Sequence, residues 1–481
     1  MGKALRKIFI IVSLSCFILL VIMNLYIYVR NLAFLYIIPY LVVLPALFLV
    51  GRKLDISKVN FSLMLFLLSF LSKAIASFFF DTPLNSDFKL FYDAAVMASQ
   101  GDFSFSESGY FNIWGYQTGI VLLYALVIKI LGPGLISIKL INCLFMAGTN
   151  LIVYLISEKV CDDKTARFIS LVYMIYPAPY FLASVLTNQH ASNFFLYSGL
   201  YIFIKKNRNT VSTALLSAFL LALGNALRPH GIVVIAAIIL FGILGQPKKP
   251  LFLYIIILVA SYFLFGQAFS LSVKAAGINE NGLKNMFPSY KLVVGLNHET
   301  SGQYSGNDVT ALMSVADMEK RNEKAFEMIR ERLSHPKRLI RLLFSKQKIM
   351  WGDFDQSFTW GFGYLEKEGI NLFNKNISYS IFGDILKKSE KQIYLLVFLF
   401  ASVGVFSLLR SGMYNETILL LTMVVMFNIG IYSLIEIQPR YRDFTMVAVF
   451  IIAAKGLEYV SGILNKKQTN SESPELVSSW N

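Results

Sequence analysis

Asp87 is the carboxylate with the least local explanation in this chain. It sits in Asn85-Ser86-Asp87-Phe88, ahead of Tyr92 and Asp93, and Lys89 lies four residues before Asp93. That spacing pairs Asp93 on a helix face and leaves Asp87 without a partner. A carboxylate so placed can take a proton from a hydroxyl as a general base, or simply cap the following helix. A second group, Thr187-Asn188-Gln189-His190, offers amides and an imidazole to hydroxyl groups, or is a polar helix start. The third, Arg228-Pro229-His230, separates two apolar stretches, where an arginine either serves a site or snorkels to the interface. In the fourth, Glu436-Ile437-Gln438-Pro439-Arg440-Tyr441-Arg442-Asp443, two arginines flank a tyrosine. Guanidinium forks suit phosphate oxygens and stabilise a phosphate as it leaves. The alternative is a structural network in which Glu436 and Asp443 neutralise both arginines.

The elements that must position these residues belong to a membrane protein. Of 481 residues, 56% are hydrophobic and 15% charged, against roughly 25% charged in soluble domains. This excludes a soluble enzyme. The apolar residues arrive in blocks suited to crossing hydrocarbon, about 20 residues each, and continuously apolar blocks in lipid must be helices rather than barrel strands. The formal charge of +15 would suggest nucleic acid only if it clustered on one soluble face. Instead Lys3, Arg6 and Lys7, Arg52, Lys53 and Lys58, Lys205, Lys206 and Arg208, Lys248 and Lys249, and Lys466 and Lys467 occupy termini and short loops, which is the positive-inside pattern. No nucleic-acid partner is expected.

Thirteen candidate spans run from Ile8–Tyr28 to Thr445–Tyr459, so the reading is an all-α bundle of about 11–13 transmembrane helices. Ile8–Tyr28 is an uncleaved first helix. Two longer connections, 81–115 and 272–392, are placed on the non-cytoplasmic face. Counting crossings forward from the N-terminus and backward from the long connection disagrees by one, and the repair is that Tyr116–Leu131, followed by Gly132-Pro133-Gly134, does not cross fully. The chain divides into an N-terminal transmembrane module (1–271), a large loop (272–392), C-terminal helices (393–464) and a disordered cytoplasmic tail (465–481). In the loop, Ala316–Leu333 and Leu339–Trp351 have amphipathic spacing, the second suited to a membrane surface or to packing within the loop. All four chemical groups then fall on the non-cytoplasmic face. Cys16, Cys143 and Cys161 form no disulfide framework and no metal-ligand spacing, and Asp162-Asp163 reads as a solvated cytoplasmic pair. There is no phosphate-binding glycine loop, dinucleotide fingerprint or metalloprotease motif.

The order of these short motifs resembles the GT-C superfamily of polytopic glycosyltransferases, in its family 39-like branch of protein O-mannosyltransferases and the lipid A aminoarabinose transferase. The matching elements are Ser86-Asp87 with Tyr92, Leu131-Gly132, Arg228-Pro229 and Glu436 to Arg442. Gly295-Leu296-Asn297 with Gly302 and Tyr304, then His335-Pro336, Lys348 and Trp351, are similar to bacterial members. The resemblance spans Phe78 to Tyr459. It implies inverting transfer of a sugar from a polyprenyl-phosphate donor to an acceptor on the outer face of the plasma membrane, with Asp87 as general base. Arg228, Arg440, Tyr441 and Arg442 then hold the donor phosphate, and Tyr92, Asp93, Asn188, Gln189, His190, His230, Asn297, Glu436 and Gln438 are substrate-binding candidates. The chain departs from many relatives where Asn188, Gln189 and His190 replace an acidic residue, and in lacking a soluble C-terminal domain. No metal or other cofactor is expected, because arginines take the place of a divalent ion at a lipid phosphate. Phe-, Ile-, Lys- and Asn-rich usage points to an AT-rich bacterial source, hence undecaprenyl phosphate and a wall polysaccharide or teichoic acid. The competing readings are an envelope polysaccharide polymerase or ligase with a pyrophosphate-linked donor, and a lipid-linked oligosaccharide flippase.

Overall fold

The computed structural model describes residues 2–80, 82–205, 210–245, 249–362, 369–372, 375–410 and 414–471. Lys206, Arg208 and Lys248 of the basic loops, and 472–481 of the expected tail, lie outside the described residues. The protein is an all-α polytopic membrane protein. Among the described residues, seven helices are long and apolar enough to cross a membrane. They are α1 (Gly2–Arg30), α3 (Lys58–Phe79), α7 (Leu135–Ser157), α13 (Lys249–Ala275), α19 (Tyr379–Ser407), α20 (Glu416–Leu434) and α21 (Asp443–Ser471). Shorter helices pack among them: α2 (Ile38–Lys53), α8 (Asp163–Ile175) with the single turn α9 (Pro177–Phe181), α10 (Gln189–Ile204), α11 (Val211–Leu227) and α12 (Gly231–Leu244). The span expected at Ala166–Leu182 is broken because Pro177 has no N–H to continue the helix, leaving Tyr176 extended. Helix α21 runs on to Ser471, into the stretch expected to be disordered.

Between α3 and α7 the chain stays at one end of the bundle, which resolves the parity problem. Lys58 at the start of α3 is ion-paired with Glu158 just past the end of α7, so these helices are antiparallel and everything between begins and ends together. That segment holds α4 (Ser86–Ser99), α5 (Gly109–Ile113) and α6 (Thr118–Leu131). Fourteen residues of α6 extend about 21 Å, short of roughly 30 Å of hydrocarbon. Both ends of α6 are held. Gly119 lies so close to the Ala226 carbonyl that a Cβ would sit 2.0 Å from its oxygen, and beyond Leu131 the Pro133 carbonyl accepts from the Tyr92 hydroxyl.

The long insertion after α13 folds over the same end. It comprises α14 (Ser289–Gly295), α15 (Gly306–Met313), α16 (Met318–Leu333), α17 (Pro336–Gln347), α18 (Ser357–Phe362) and a hairpin of β1 (Gly369–Leu372) and β2 (Lys375–Ser378). Fully buried Trp351 anchors it: its carbonyl accepts from Asn24 of α1 at 3.0 Å and Tyr394 of α19 at 2.9 Å. The insertion also grips the link between α20 and α21. The Glu436 N–H donates to the Lys291 carbonyl and the Ile437 N–H to the Gly302 carbonyl, both at 2.9 Å. Two glycines make this possible. A Cβ on Gly295 would lie 2.2 Å from the Leu434 oxygen, and Gly302 has φ +77°, in the left-handed region.

Candidate active site

Asp87 occupies the first turn of α4, where the positive end of the helix favours a carboxylate. It is not the N-cap. Asn85 holds that position without a side-chain bond, and Ser86 between them has φ +50°, a conformation that costs a non-glycine residue of order 1 kcal/mol and is concentrated at functional sites. The turn directs the Asp87 carboxylate to the Tyr110 hydroxyl. Among the described residues Asp87 forms no ion pair within 4 Å. Burial raises its pKa above the ordinary aspartate value, opposed by the nearby charges of Arg440 and Lys291 and by the Tyr110 bond. Tyr110 is itself pushed well up, by burial and then by the Asp87 charge.

A chain of hydrogen bonds runs from this carboxylate to the first arginine. The Gln117 amide donates to the Tyr110 hydroxyl at 3.4 Å, Asn188 donates to Gln117 Oε1 at 3.2 Å, and Arg228 Nη1 donates to Asn188 Oδ1 at 3.0 Å. Asn188 also donates to the Leu227 carbonyl at 3.0 Å, so the amide is held from both sides. Arg228 Nε is buried with no hydrogen-bond partner.

A second chain leads to the other arginine. Arg440 Nε donates to Gln438 Oε1 at 2.8 Å, Gln438 donates to Glu436 Oε1 at 3.2 Å, and Glu436 is ion-paired with Lys291. Burial would raise Glu436, but Lys291 prevails and holds it below the usual range. Burial would likewise lower Lys291, yet Glu436, Tyr441 and Tyr116 raise it. The Arg440 guanidinium lies 4.3 Å from the Trp360 ring, 5.4 Å from Tyr441 and 5.5 Å from Phe88. Arg228 lies 4.7 Å from the same Tyr441 ring. Gln189 donates to the Arg440 carbonyl at 3.0 Å and so fixes its backbone. Thus two guanidinium groups share one aromatic ring, and among the described residues neither has a carboxylate within ion-pair distance. Arg440 is buried and Arg228 partly buried; a cation taken from water without a contacting carboxylate is costly, and the arrangement fits an incoming anion.

Other candidates are placed elsewhere. Arg442 does not face this site. It is fully buried, with Nε 3.2 Å from Asp355, Nη2 3.5 Å from Glu390 and Nη1 donating to the Asp353 carbonyl at 2.9 Å. The structural network expected for the Arg440–Arg442 pair therefore holds for Arg442 alone, through carboxylates distant in sequence rather than Glu436 and Asp443. Asp443 accepts from Asn193 at 2.7 Å. His190 is buried against the Leu182 carbonyl at 3.2 Å, and His230 meets the Tyr432 hydroxyl at 2.9 Å, one layer behind Tyr441. Asp93 forms an exposed ion pair with Lys89 at 2.6 Å. Asn297 donates to Asp308 at 2.9 Å within the insertion. Tyr92 tethers α4 to Pro133. Tyr110, Gln117, Lys291 and Trp360 were not legible as site residues, because each stands alone in its stretch of sequence.

No protein-family model matches the chain, and no curated protein matches it. Among solved structures, the archaeal oligosaccharyltransferase AglB from Archaeoglobus fulgidus, in complex with an inhibitory peptide and a dolichol-phosphate, aligns with a TM-score of 0.44 and 14% identity over 86% of this chain and 52% of its own. The Archaeoglobus fulgidus oligosaccharyltransferase in the apo form gives 0.44 and 14% over 84% and 52%. The same enzyme tethered through a disulfide to an acceptor peptide containing the NVT sequon gives 0.44 and 13% over 86% and 51%. The chain spans about half the length of these proteins.

Proposed function

We propose that this protein is a membrane glycosyltransferase that moves a sugar from a polyprenyl-phosphate donor to a hydroxyl of a cell-envelope glycan, on the extracytoplasmic face and with inversion. The observation that carries the reading is the convergence at one end of the bundle of Asp87 with two arginines that, among the described residues, contact no carboxylate. Asp87, held by Tyr110 and by burial, removes the acceptor proton as the hydroxyl attacks the anomeric carbon. Its raised pKa brings it closer to the operating range of a base. Arg228 and Arg440 receive the charge that develops on the lipid phosphate as the glycosidic bond to it breaks, and Tyr441 holds the two forks at one location. Lys291 and Glu436 hold Arg440 in place through Gln438. Arg442 has a different role, as the buried charge that ties α21 to α19 and the insertion. The order of motifs shared with GT-C enzymes supports the same assignment, and bacterial use of Phe, Ile, Lys and Asn favours undecaprenyl phosphate as carrier.

The test uses purified full-length protein in nanodiscs, supplied with acceptor glycan and either a polyprenyl-monophosphate sugar or a polyprenyl-pyrophosphate oligosaccharide. Transfer from the monophosphate donor is expected. Transfer only from the pyrophosphate donor identifies a polymerase or ligase, and lipid translocation without transfer identifies a flippase; either outcome overturns the proposal.

A further inference from the structure

Helix α17 has two faces with different occupants. Toward the protein, Leu342 and Lys346 are buried, and Lys346 Nζ donates to the Gly295 carbonyl at 2.7 Å and the Ile435 carbonyl at 2.8 Å. Ile435 directly precedes Glu436, so this contact holds the segment that leads to Arg440. On the opposite face, by the 3.6-residue period, Ile340 is 58% and Phe344 70% exposed. Lys337, Arg341 and Lys348 are exposed beside them, and the helix contains no acidic residue. At its C-terminal end, Gln347 donates to Ser433 Oγ at 2.8 Å. Ser433 is in the last turn of α20, where that apolar span ends. The exposed face is thus carried at the level where a bilayer surface would lie, with two large apolar side chains flanked by cations. This is the pattern of a helix seated among headgroups, and the unbalanced positive charge selects anionic ones.

We propose that α17 docks on the anionic headgroups of the bilayer surface at the Asp87 end of the bundle, with Ile340 and Phe344 inserted and Lys337, Arg341 and Lys348 at the phosphates. Through Lys346 on its other face, docking steadies the Ile435–Arg440 segment. The helix is therefore a lipid-sensing strut for the candidate site.

Hydrogen–deuterium exchange of full-length protein in nanodiscs tests this directly, whatever reaction the site performs. In phosphatidylcholine nanodiscs containing phosphatidylglycerol, amides of 336–348 should exchange more slowly than in phosphatidylcholine alone, and added salt should abolish the difference. The triple variant K337Q/R341Q/K348Q should lose it too, with each neutralisation lowering the docked-to-undocked ratio about fivefold. Equal exchange in the two lipids for the wild type, or a salt-insensitive difference, overturns the proposal. So does a triple variant that retains the difference. The wild-type lipid and salt comparison needs no substitution, so it decides the matter even where a variant fails to fold.

Discussion

Arg440 and Arg442 are two residues apart, yet the structure assigns them opposite consequences on substitution. Methionine at either position keeps most of the side-chain length and removes the charge. At Arg442 it leaves Asp355 and Glu390 buried without their guanidinium partner, at contacts of 3.2 and 3.5 Å in the wild type. Breaking one side of a buried pair destabilises by about 3–5 kcal/mol, so Arg442→Met should unfold early. At Arg440 no carboxylate among the described residues loses an ion-pair partner. The losses are one bond to Gln438 and the contacts with Trp360, Tyr441 and Phe88, partly offset by no longer burying a charge without a contacting carboxylate, for a net cost of about 1 kcal/mol. Its effect should fall on chemistry. A guanidinium that meets a developing phosphate charge is worth about 3 kcal/mol, a loss of roughly a hundredfold or more in kcat/KM. The assay is thermal unfolding of both variants in the same detergent, together with sugar transfer normalised to folded protein. The reasoning is refuted if Arg440→Met unfolds as readily as Arg442→Met, or if Arg442→Met is as stable as wild type and loses only transfer.

Three further outcomes follow from the same geometry. Tyr110→Phe removes a bond that favours ionised Asp87; the carboxyl pKa rises further, and the acid limb of kcat/KM against pH should move to higher pH, whereas a limb that stays put or moves down rejects Asp87 as the titrating base. Asn188→Asp places a carboxylate on Arg228 Nη1, neutralises it, and should raise the donor KM by roughly ten- to a hundredfold, measured by varying donor at saturating acceptor; an unchanged KM removes Arg228 from the phosphate site. Burial lowers the Lys346 pKa to about 7, so between about pH 7 and the ordinary lysine value the unfolded chain binds more protons and wild-type stability should rise with pH, by up to roughly 1 kcal/mol per unit. Lys346→Met should be less stable, having left two buried carbonyls unpaired, and its stability should not share this slope; a slope equal to that of the wild type means Lys346 does not titrate there.

Much of this was legible in the sequence, for physical reasons that can be named. Charge is costly in a membrane, so Asp87, Arg228 and Arg440 stood out against apolar surroundings, and the odd crossing parity together with the shortness of 116–131 pointed to a segment that stays at one end. The spacing of Lys89 and Asp93 explained Asp93 correctly as a surface pair, because an i, i+4 contact needs no tertiary information. The same local logic failed for Arg442. Its partners, Asp355 and Glu390, lie 87 and 52 residues away, and no periodicity signals a contact made by folding the insertion back onto α19. Lys291, Tyr110 and Gln117 were missed for the same reason. In sequence Gly295 and Gly302 read only as parts of a motif; their purpose, to let two backbones touch beside Glu436, exists only in the packed structure.

If Asp87 removes the acceptor proton while the arginines bind the donor, substituting Asp87 separates chemistry from donor binding. The most direct measurement is the transfer rate of Asp87→Asn beside that of wild type, from a polyprenyl-monophosphate sugar in nanodiscs, with donor binding measured on the same preparations. Transfer should fall by about a factor of a hundred to ten thousand, as expected for loss of a general base, with donor affinity close to wild type. Transfer at the wild-type rate, or a loss of transfer explained wholly by lost donor binding, would contradict that role for Asp87.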